Sequence, residues 1–339
     1  NMTTLTYQVS RAVGRTLKPG DTLVVTRLDH DANISPWVQL AEDRGCRVQW
    51  VEIDPGDCTL DLADFEAALG EGPKLAAFGY ASNATGTVNP VEKMTALAHA
   101  AGALVYIDAV QFAPHGPIDV QQLGCDFLVC SAYKFFGPHL GVLYGRHELL
   151  ESLPAYRVRP APAMPPGKFE TGTGNFEGMA GLLGALEYLE WLGYLYGEDY
   201  LELYAEEYTG RRQVLKQAMS VVRSYEFELS RALIDTLRAI PGVQIFGIQD
   251  LLRLTDRVPT VSFTLEGHAP DAVARYLAEQ GINVWSGNFY ALALTEHLGL
   301  EAAGGLVRVG ATHYNTVKEI DKLGDALYGL LRSRPTGGS

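Results

Sequence analysis

Cysteine is scarce in this chain. Four occur in 339 residues, Cys46, Cys58, Cys125 and Cys130, and none follows. They show neither CxxC spacing nor histidines at metal-ligand spacing, so neither a disulfide framework nor a zinc site is indicated. All four read as small buried hydrophobes. Basic residues are also in short supply, with 27 Lys plus Arg against 40 Asp plus Glu, a net charge of −13. No basic run tracks a phosphate backbone, which argues against nucleic acid as a partner. No stretch approaches the roughly 20 consecutive apolar residues of a membrane span. The opening NMTTLTYQVS lacks the basic and apolar regions of a signal peptide. The expected location is therefore the cytoplasm, with no membrane partner. The chain opens on Asn1 rather than methionine and a helical pattern begins almost at once, so further residues are expected upstream.

What is present is an ordinary globular composition, 47% hydrophobic and 20% charged, long enough for two domains. From about residue 10 to 150, short apolar runs alternate with amphipathic helices. LVVT, VQWVEI, LAAFGY, ALVYIDA and FLVCSA are continuous runs, the pattern of a parallel sheet covered on both faces. Residues 177 to 240 read as long amphipathic helices with one interruption. Beyond Pro241-Gly242, strands mixed with two helices indicate a smaller α+β unit. The expected division is a large α/β domain, 1–225, ending in bridging helices, and a small domain, 226–339. No repeat or flexible linker is found beyond the tail PTGGS.

In open α/β sheets ligands bind at the carboxyl ends of the strands. Four such ends are rich in polar residues: Asp29 to Asn33, Ser82-Asn83, Asp108 to Gln111, and Ser131 to Lys134. Lys134 directly follows an apolar strand, where desolvation lowers a lysine's pKa and makes its amine a nucleophile for carbonyls. A strand-end lysine also snorkels readily to solvent. Asp108, at a neighbouring strand end, is suited to pair with a protonated pyridine nitrogen while Lys134 holds pyridoxal phosphate as a Schiff base. Taken singly, such an Asp is more often a helix cap, and Gln111 is as readily structural. His30 has an imidazole flat enough to stack on an aromatic ring and able to relay a proton near neutral pH, or it is a satisfied histidine in a turn. Phosphate needs donors near a helix N-terminus. Thr3, Thr4, Ser131 and the Gly172-Thr173-Gly174 turn supply candidates, each without weight alone.

Five segments, taken together, resemble one family. They are TRLDHDANISPW (26–37), YASNATGTVNP (80–90), VYIDAVQFAPHGPIDVQQLGCDFLVCSAYKFFGPHLGVLYGR (105–146), FETGTGNFEGMAGLLGAL (169–186) and VRVGATHYNTVKEI (307–320). They resemble the class V aminotransferase family of fold type I pyridoxal phosphate enzymes, and within it the cysteine desulfurase branch of the NifS and SufS kind. The order is the family's, and the match spans nearly the whole chain. The resemblance implies a large α/β domain with a mainly parallel, seven-stranded-type sheet, a smaller C-terminal domain and a homodimer. It implies Lys134 as the Schiff-base lysine and proton shuttle at the substrate α-carbon, Asp108 as partner of the pyridine nitrogen, and Gln111 as donor to the phenolic oxygen. His30 falls where the family stacks an imidazole on the cofactor. Ser131 and Thr3 match phosphate contacts, and Thr173 a threonine contributed across the dimer interface. Asn83 and Arg308 match the residues that hold the substrate carboxylate, for which arginine offers a bidentate fork.

Three departures stand out. Tyr133 occupies the place of the family's usual histidine before the lysine and still offers a phosphate a hydrogen bond. The chain begins at the phosphate loop, whereas relatives carry a preceding segment. Desulfurases attack the substrate sulfur with a loop cysteine shortly before the arginine, whereas VWSGNFYALALTEHLGL (284–300) has none, and the position falls at Tyr290. A thiolate persulfide step thus lacks its nucleophile. The expectation is a desulfurase-like enzyme acting on a small amino acid through an α-carbanion, with C–S lyase, epimerase and aminotransferase chemistry open and an unidentified sulfur acceptor as a further partner. The rival is a scaffold that binds the cofactor without catalysis.

Overall fold

The computed structural model describes residues 1–332, so the tail PTGGS lies outside the described residues. Six apolar runs build the main sheet: β1 (Thr22–Thr26), β2 (Arg47–Val51), β5 (Leu75–Gly79), β6 (Leu104–Asp108), β7 (Phe127–Ser131) and β8 (Gly141–Gly145). A short hairpin, β3 (Ile53–Asp54) and β4 (Thr59–Leu60), lies between the second and third of them. The order across the sheet is β2-β1-β5-β6-β7-β8. All neighbours run parallel except β7 and β8. The sheet is mainly parallel, as the continuous apolar runs implied, but among the described residues it has six strands rather than seven. The helix Met2–Gly14 packs against β7 and β8, and β8 has no outer strand partner among the described residues.

Alternation along each strand sends side chains to two cores. Leu23, Val25, Ala77, Tyr106 and Phe127 pack with Val9, Val13 and Trp37 on one face. Val24, Phe78, Val105, Ile107 and Leu128 pack with Phe65 and Met94 on the other. Every residue of β1 and β5 is buried, which is why these runs lack polar alternation.

The smaller sheet is antiparallel, in the order β11 (Trp285–Gly287), β12 (Leu306–Gly310), β10 (Thr260–Leu265), β9 (Val243–Phe246). Its core joins Val261, Phe263 and Val307 to Leu229, Leu233 and Leu237 of the long helix Gly210–Ala239. Position 225/226, the expected domain boundary, lies inside that continuous helix. Its first half packs on the helix Phe176–Tyr196 and its second half enters the small core. The helical stretch read over 177 to 240 has a second interruption: a short helical turn Leu201–Tyr204 is followed by non-helical residues up to Gly210, whose φ of +58° is the left-handed conformation glycine accepts. Among the described residues no helix is long and apolar enough to cross a membrane.

Candidate active site

The carboxyl ends of β1, β5, β6 and β7 meet the edge of the small sheet around a cavity of about 350 Å³. Nine of the ten sequence-derived site residues line it: Thr3, His30, Asn83, Asp108, Gln111, Ser131, Tyr133, Lys134 and Arg308. Thr173 does not. It is exposed, in the loop before the helix Phe176–Tyr196.

Strand register explains the convergence. Asp108 ends β6 beside Gly79 of β5, and Ser131 ends β7, which runs into the turn Ala132–Lys134. Asp108 is 7% exposed and accepts a hydrogen bond from the Val110 amide at 2.9 Å. Burial pushes its carboxyl up to about 6, against the pull of that bond and of Lys134. Lys134 stands open on the cavity wall, yet desolvation and the nearby Arg308 lower its pKa, with Asp108 opposing them. The Ser131 hydroxyl accepts from the Met2 amide at 2.9 Å, which ties the N-terminus of the helix Met2–Gly14 to the strand end. That terminus brings Met2 and Thr3 to the cavity with the positive end of a helix dipole. Tyr133 stacks on His139, ring centres 4.9 Å apart.

His30 caps a helical turn, its Nδ1 accepting from the Ala32 amide at 3.0 Å. That bond needs an unprotonated Nδ1, and burial, reinforced by Lys134 and Arg308, drives the imidazole down to about 4. His30 is therefore neutral across the physiological range. Tyr290 stacks on it at 5.4 Å with 18° between the rings.

The small domain supplies Arg308 from β12. Its Nη1 donates to the Asn83 carbonyl at 2.7 Å, and its guanidinium lies 4.5 Å from the centre of the Phe289 ring. The Asn83 side-chain amide donates to the Phe289 carbonyl at 2.7 Å, so it is engaged, while its Oδ1 is buried with no hydrogen-bond partner among the described residues. Gln111 donates to the Thr260 hydroxyl at 2.9 Å.

Sequence reasoning passed over three contributors. Asp29, 3% exposed, lines the cavity and was visible only as part of a polar strand end. Trp285 and Phe289 come from the segment that lacks the cysteine, where their size was the available signal. Phe289 and Tyr290 both hold positive φ, 56° and 61°, a conformation disfavoured for side chains of this size. The loop is held there by two carbonyl contacts, Asn83 to Phe289 and the Asp31 amide to Tyr290 at 2.6 Å. Of the four cysteines, Cys58 and Cys125 are buried as expected, whereas Cys46 and Cys130 are half-buried, Cys46 beside the Lys18 carbonyl. None lines the cavity, and burial pushes Cys58 up to about 11 and Cys125 and Cys130 up to about 12.

The chain is similar to known proteins along most of its length. The family model Aminotransferase class-V matches residues 3–211 and 211–323. A probable cysteine desulfurase of Mycolicibacterium paratuberculosis is 36% identical over 90% of this chain, and the chain spans 41% of that relative's length. A cysteine desulfurase of Pectobacterium atrosepticum is 34% identical, covering 93% of this chain and 72% of its own. Among solved structures, the apo cysteine desulfurase from Thermococcus onnurineus superposes with a TM-score of 0.82 at 27% identity, covering 98% of this chain and 78% of its own. Escherichia coli CsdA gives 0.79 at 28%, covering 98% and 77%. With a family model matched from residue 3 to 323 and a fold shared over 98% of its length, this chain belongs to the class V aminotransferase family.

Proposed function

We propose that this chain is a pyridoxal phosphate enzyme that works on a small amino acid by removing its α-proton, and that it does so without a persulfide-forming cysteine. The observation that carries the reading is the convergence of Lys134, Asp108 and His30 on one cavity with Arg308 at its rim. The cavity suits the cofactor. Its size falls within the range of small-molecule sites. A helix N-terminus with the Ser131 and Thr3 hydroxyls would cradle the phosphate, Asp108 would hold the ring nitrogen, and the imidazole of His30 would cover a ring face.

When bound, the cofactor would supply an electron sink for charge developing at the substrate α-carbon. The remaining work belongs to this chain. Lys134 Nζ, its pKa lowered, would hold the cofactor and later take the α-proton. Asp108 would keep a proton on the ring nitrogen. Neutral His30 would stack without adding positive charge. Arg308 commits Nη1 to Asn83 and has no other protein hydrogen bond among the described residues, which leaves donors for a substrate carboxylate. Trp285, Phe289 and Tyr290 wall the substrate side with aromatic surface.

No cysteine reaches the cavity, and the three with raised pKa values near 11 to 12 are thiols rather than thiolates at neutral pH. This supports β-elimination, epimerisation or transamination over persulfide transfer, and the retained Lys134, Asp108, His30 and Arg308 argue against a scaffold without chemistry. A homodimer is supported by the helix Phe176–Tyr196, which exposes Phe176, Met179, Leu183 and Trp191. Thr173, exposed three residues before that helix, would serve a partner's site.

The test is borohydride reduction of the protein incubated with pyridoxal phosphate, followed by peptide mass analysis. A pyridoxyl adduct on Lys134 is expected. An adduct elsewhere, or none, overturns the reading. A product screen across amino acids then separates pyruvate, keto acid and inverted amino acid.

A further inference from the structure

Two carboxylates stand at the floor of the cavity on strands that flank a third. In the order β1-β5-β6, Asp29 follows β1, Asp108 ends β6, and Gly79 ends β5 between them. Gly79 is paired in register with Asp108, and its amide donates to Asp29 Oδ1 at 2.8 Å. A Cβ at position 79 would lie 2.9 Å from that oxygen, so glycine is what allows the Asp29 carboxylate to approach the strand end. Asp29 also accepts from the Thr26 hydroxyl at 3.0 Å and the Asn33 amide at 2.7 Å.

A tether between β1 and β5 does not require this charge. All three donors are neutral, and an asparagine would accept the Thr26 and Gly79 bonds on its oxygen. Asp29 is 3% exposed and forms no salt bridge among the described residues, its hydrogen-bond donors being Thr26, Asn33 and Gly79. A buried charge without a partner is costly and clusters at functional sites. Burial pushes Asp29 up to about 7, its three donors pulling the other way and Asp108 adding to the rise. A cation placed at Asp108 would hold Asp29 ionised.

We propose that Asp29 is a second carboxylate of the cofactor cradle, a positioning residue that adds its charge behind Asp108 and so helps keep the ring nitrogen protonated. The proposal rests on the pyridoxal phosphate reading above. Other titratable groups bear on the pair: His30, Lys134 and Arg308 from the cavity, and Tyr106 and Cys130 beside Asp108. None of them is altered in the test.

Wild type, Asp29→Asn and Thr26→Val are loaded with pyridoxal phosphate, and the visible absorbance of the lysine-bound cofactor is titrated against pH. Cofactor affinity is read by fluorescence quenching, and thermal midpoints are taken without cofactor. Asp29→Asn should lower the titration midpoint by about one unit, a tenfold change in proton affinity, and weaken cofactor binding several-fold. Thr26→Val, which removes one tether and no charge, should lower the thermal midpoint and leave the titration in place. If Asp29→Asn does not fold, Asp29→Ser carries the same expectation. A folded Asp29 variant titrating like wild type makes Asp29 a tether only and overturns the proposal. A wild-type chain that takes up no pyridoxal phosphate overturns the function reading as well, an outcome distinct from an unshifted midpoint.

Discussion

Replacing Arg257 by methionine should loosen the joint between the two domains. Arg257 is 4% exposed and carries its charge with no acidic partner among the described residues. Its guanidinium instead binds backbone carbonyls: Ile248, Thr85 at 3.2 Å and Thr260 at 2.7 Å. Thr85 belongs to the loop after β5 that also carries Asn83, and Thr260 opens β10, so one side chain staples the large domain to the small beneath Arg308. Methionine fills comparable volume and leaves three carbonyls without donors. At about 1 to 3 kcal/mol for each orphaned buried group, the gross loss is roughly 3 to 9 kcal/mol. Burial alone lowers the Arg257 pKa from 12.5 to about 10. At about 1.4 kcal/mol per unit, removing the charge returns about 3 kcal/mol.

The net is a destabilisation of about 3 kcal/mol. An unfolding entropy of about 2.1 cal/mol/K per residue over 339 residues converts this into a melting shift of about 4 °C. Arg257→Lys should lose nearly as much, because an ammonium on a flexible stem cannot span three carbonyls. The assay is thermal and urea unfolding of both variants, with KM for whichever amino acid the product screen identifies. KM should rise, since the loop that carries Asn83, whose carbonyl accepts from Arg308, is released. A methionine variant melting within a degree of wild type with unchanged KM would refute the staple.

The neutrality of His30 gives a pH signature. Its pKa falls from 6.5 to about 4 on folding, so the stability it contributes is present above pH 6.5 and is lost as pH drops toward 4, at most about 3 kcal/mol. Asp29 and Asp108, raised on folding, act with the opposite sign between about pH 4 and 7. The effect therefore appears in the difference between wild type and His30→Phe, the variant losing less stability between pH 7 and 4.5 in melts of the cofactor-free protein. Tyr290→Gly should raise the melting temperature, by about 0.5 to 1 kcal/mol of relieved left-handed strain, because Tyr290 is 72% exposed and has little burial to lose. The same variant should weaken cofactor binding by unstacking His30, which a fluorescence titration reads. Leu183→Glu should convert the proposed dimer to a monomer in sedimentation; an unchanged sedimentation coefficient would argue against that interface.

The large domain was legible because its strands are buried on both faces. A fully buried strand such as TLVVT or LAAFG has no polar alternation, and that continuity, spaced by helices, is a parallel sheet written in one dimension. The positions of His30, Asp108 and Lys134 were legible for a related reason. Strand ends open on the only place where a parallel sheet leaves room for a ligand. The count of six strands, the break before Gly210 and the half-burial of Cys46 and Cys130 were not legible, since each depends on what packs alongside rather than on local pattern.

The parts of the site that escaped are those fixed by partners far away in sequence. Asp29 gains its role from an amide 50 residues on, and the Asn83 amide is turned from a free donor into a loop anchor by a carbonyl 206 residues away. The same holds for Arg308. As a residue type it announced a carboxylate, yet only the folded chain gives one of its nitrogens to Asn83 and lays it against Phe289. Both partners orient the fork, and the aromatic face also shields it from water, which under the proposed function would strengthen its pull on a substrate carboxylate. The segment that lacks the cysteine thus acquires a different task. Where a desulfurase would need a loop free to carry a thiol to the substrate, this chain pins the loop at Phe289 and Tyr290 and turns their rings to the cavity, an arrangement that, under the proposed function, would hold an amino acid still beside Lys134.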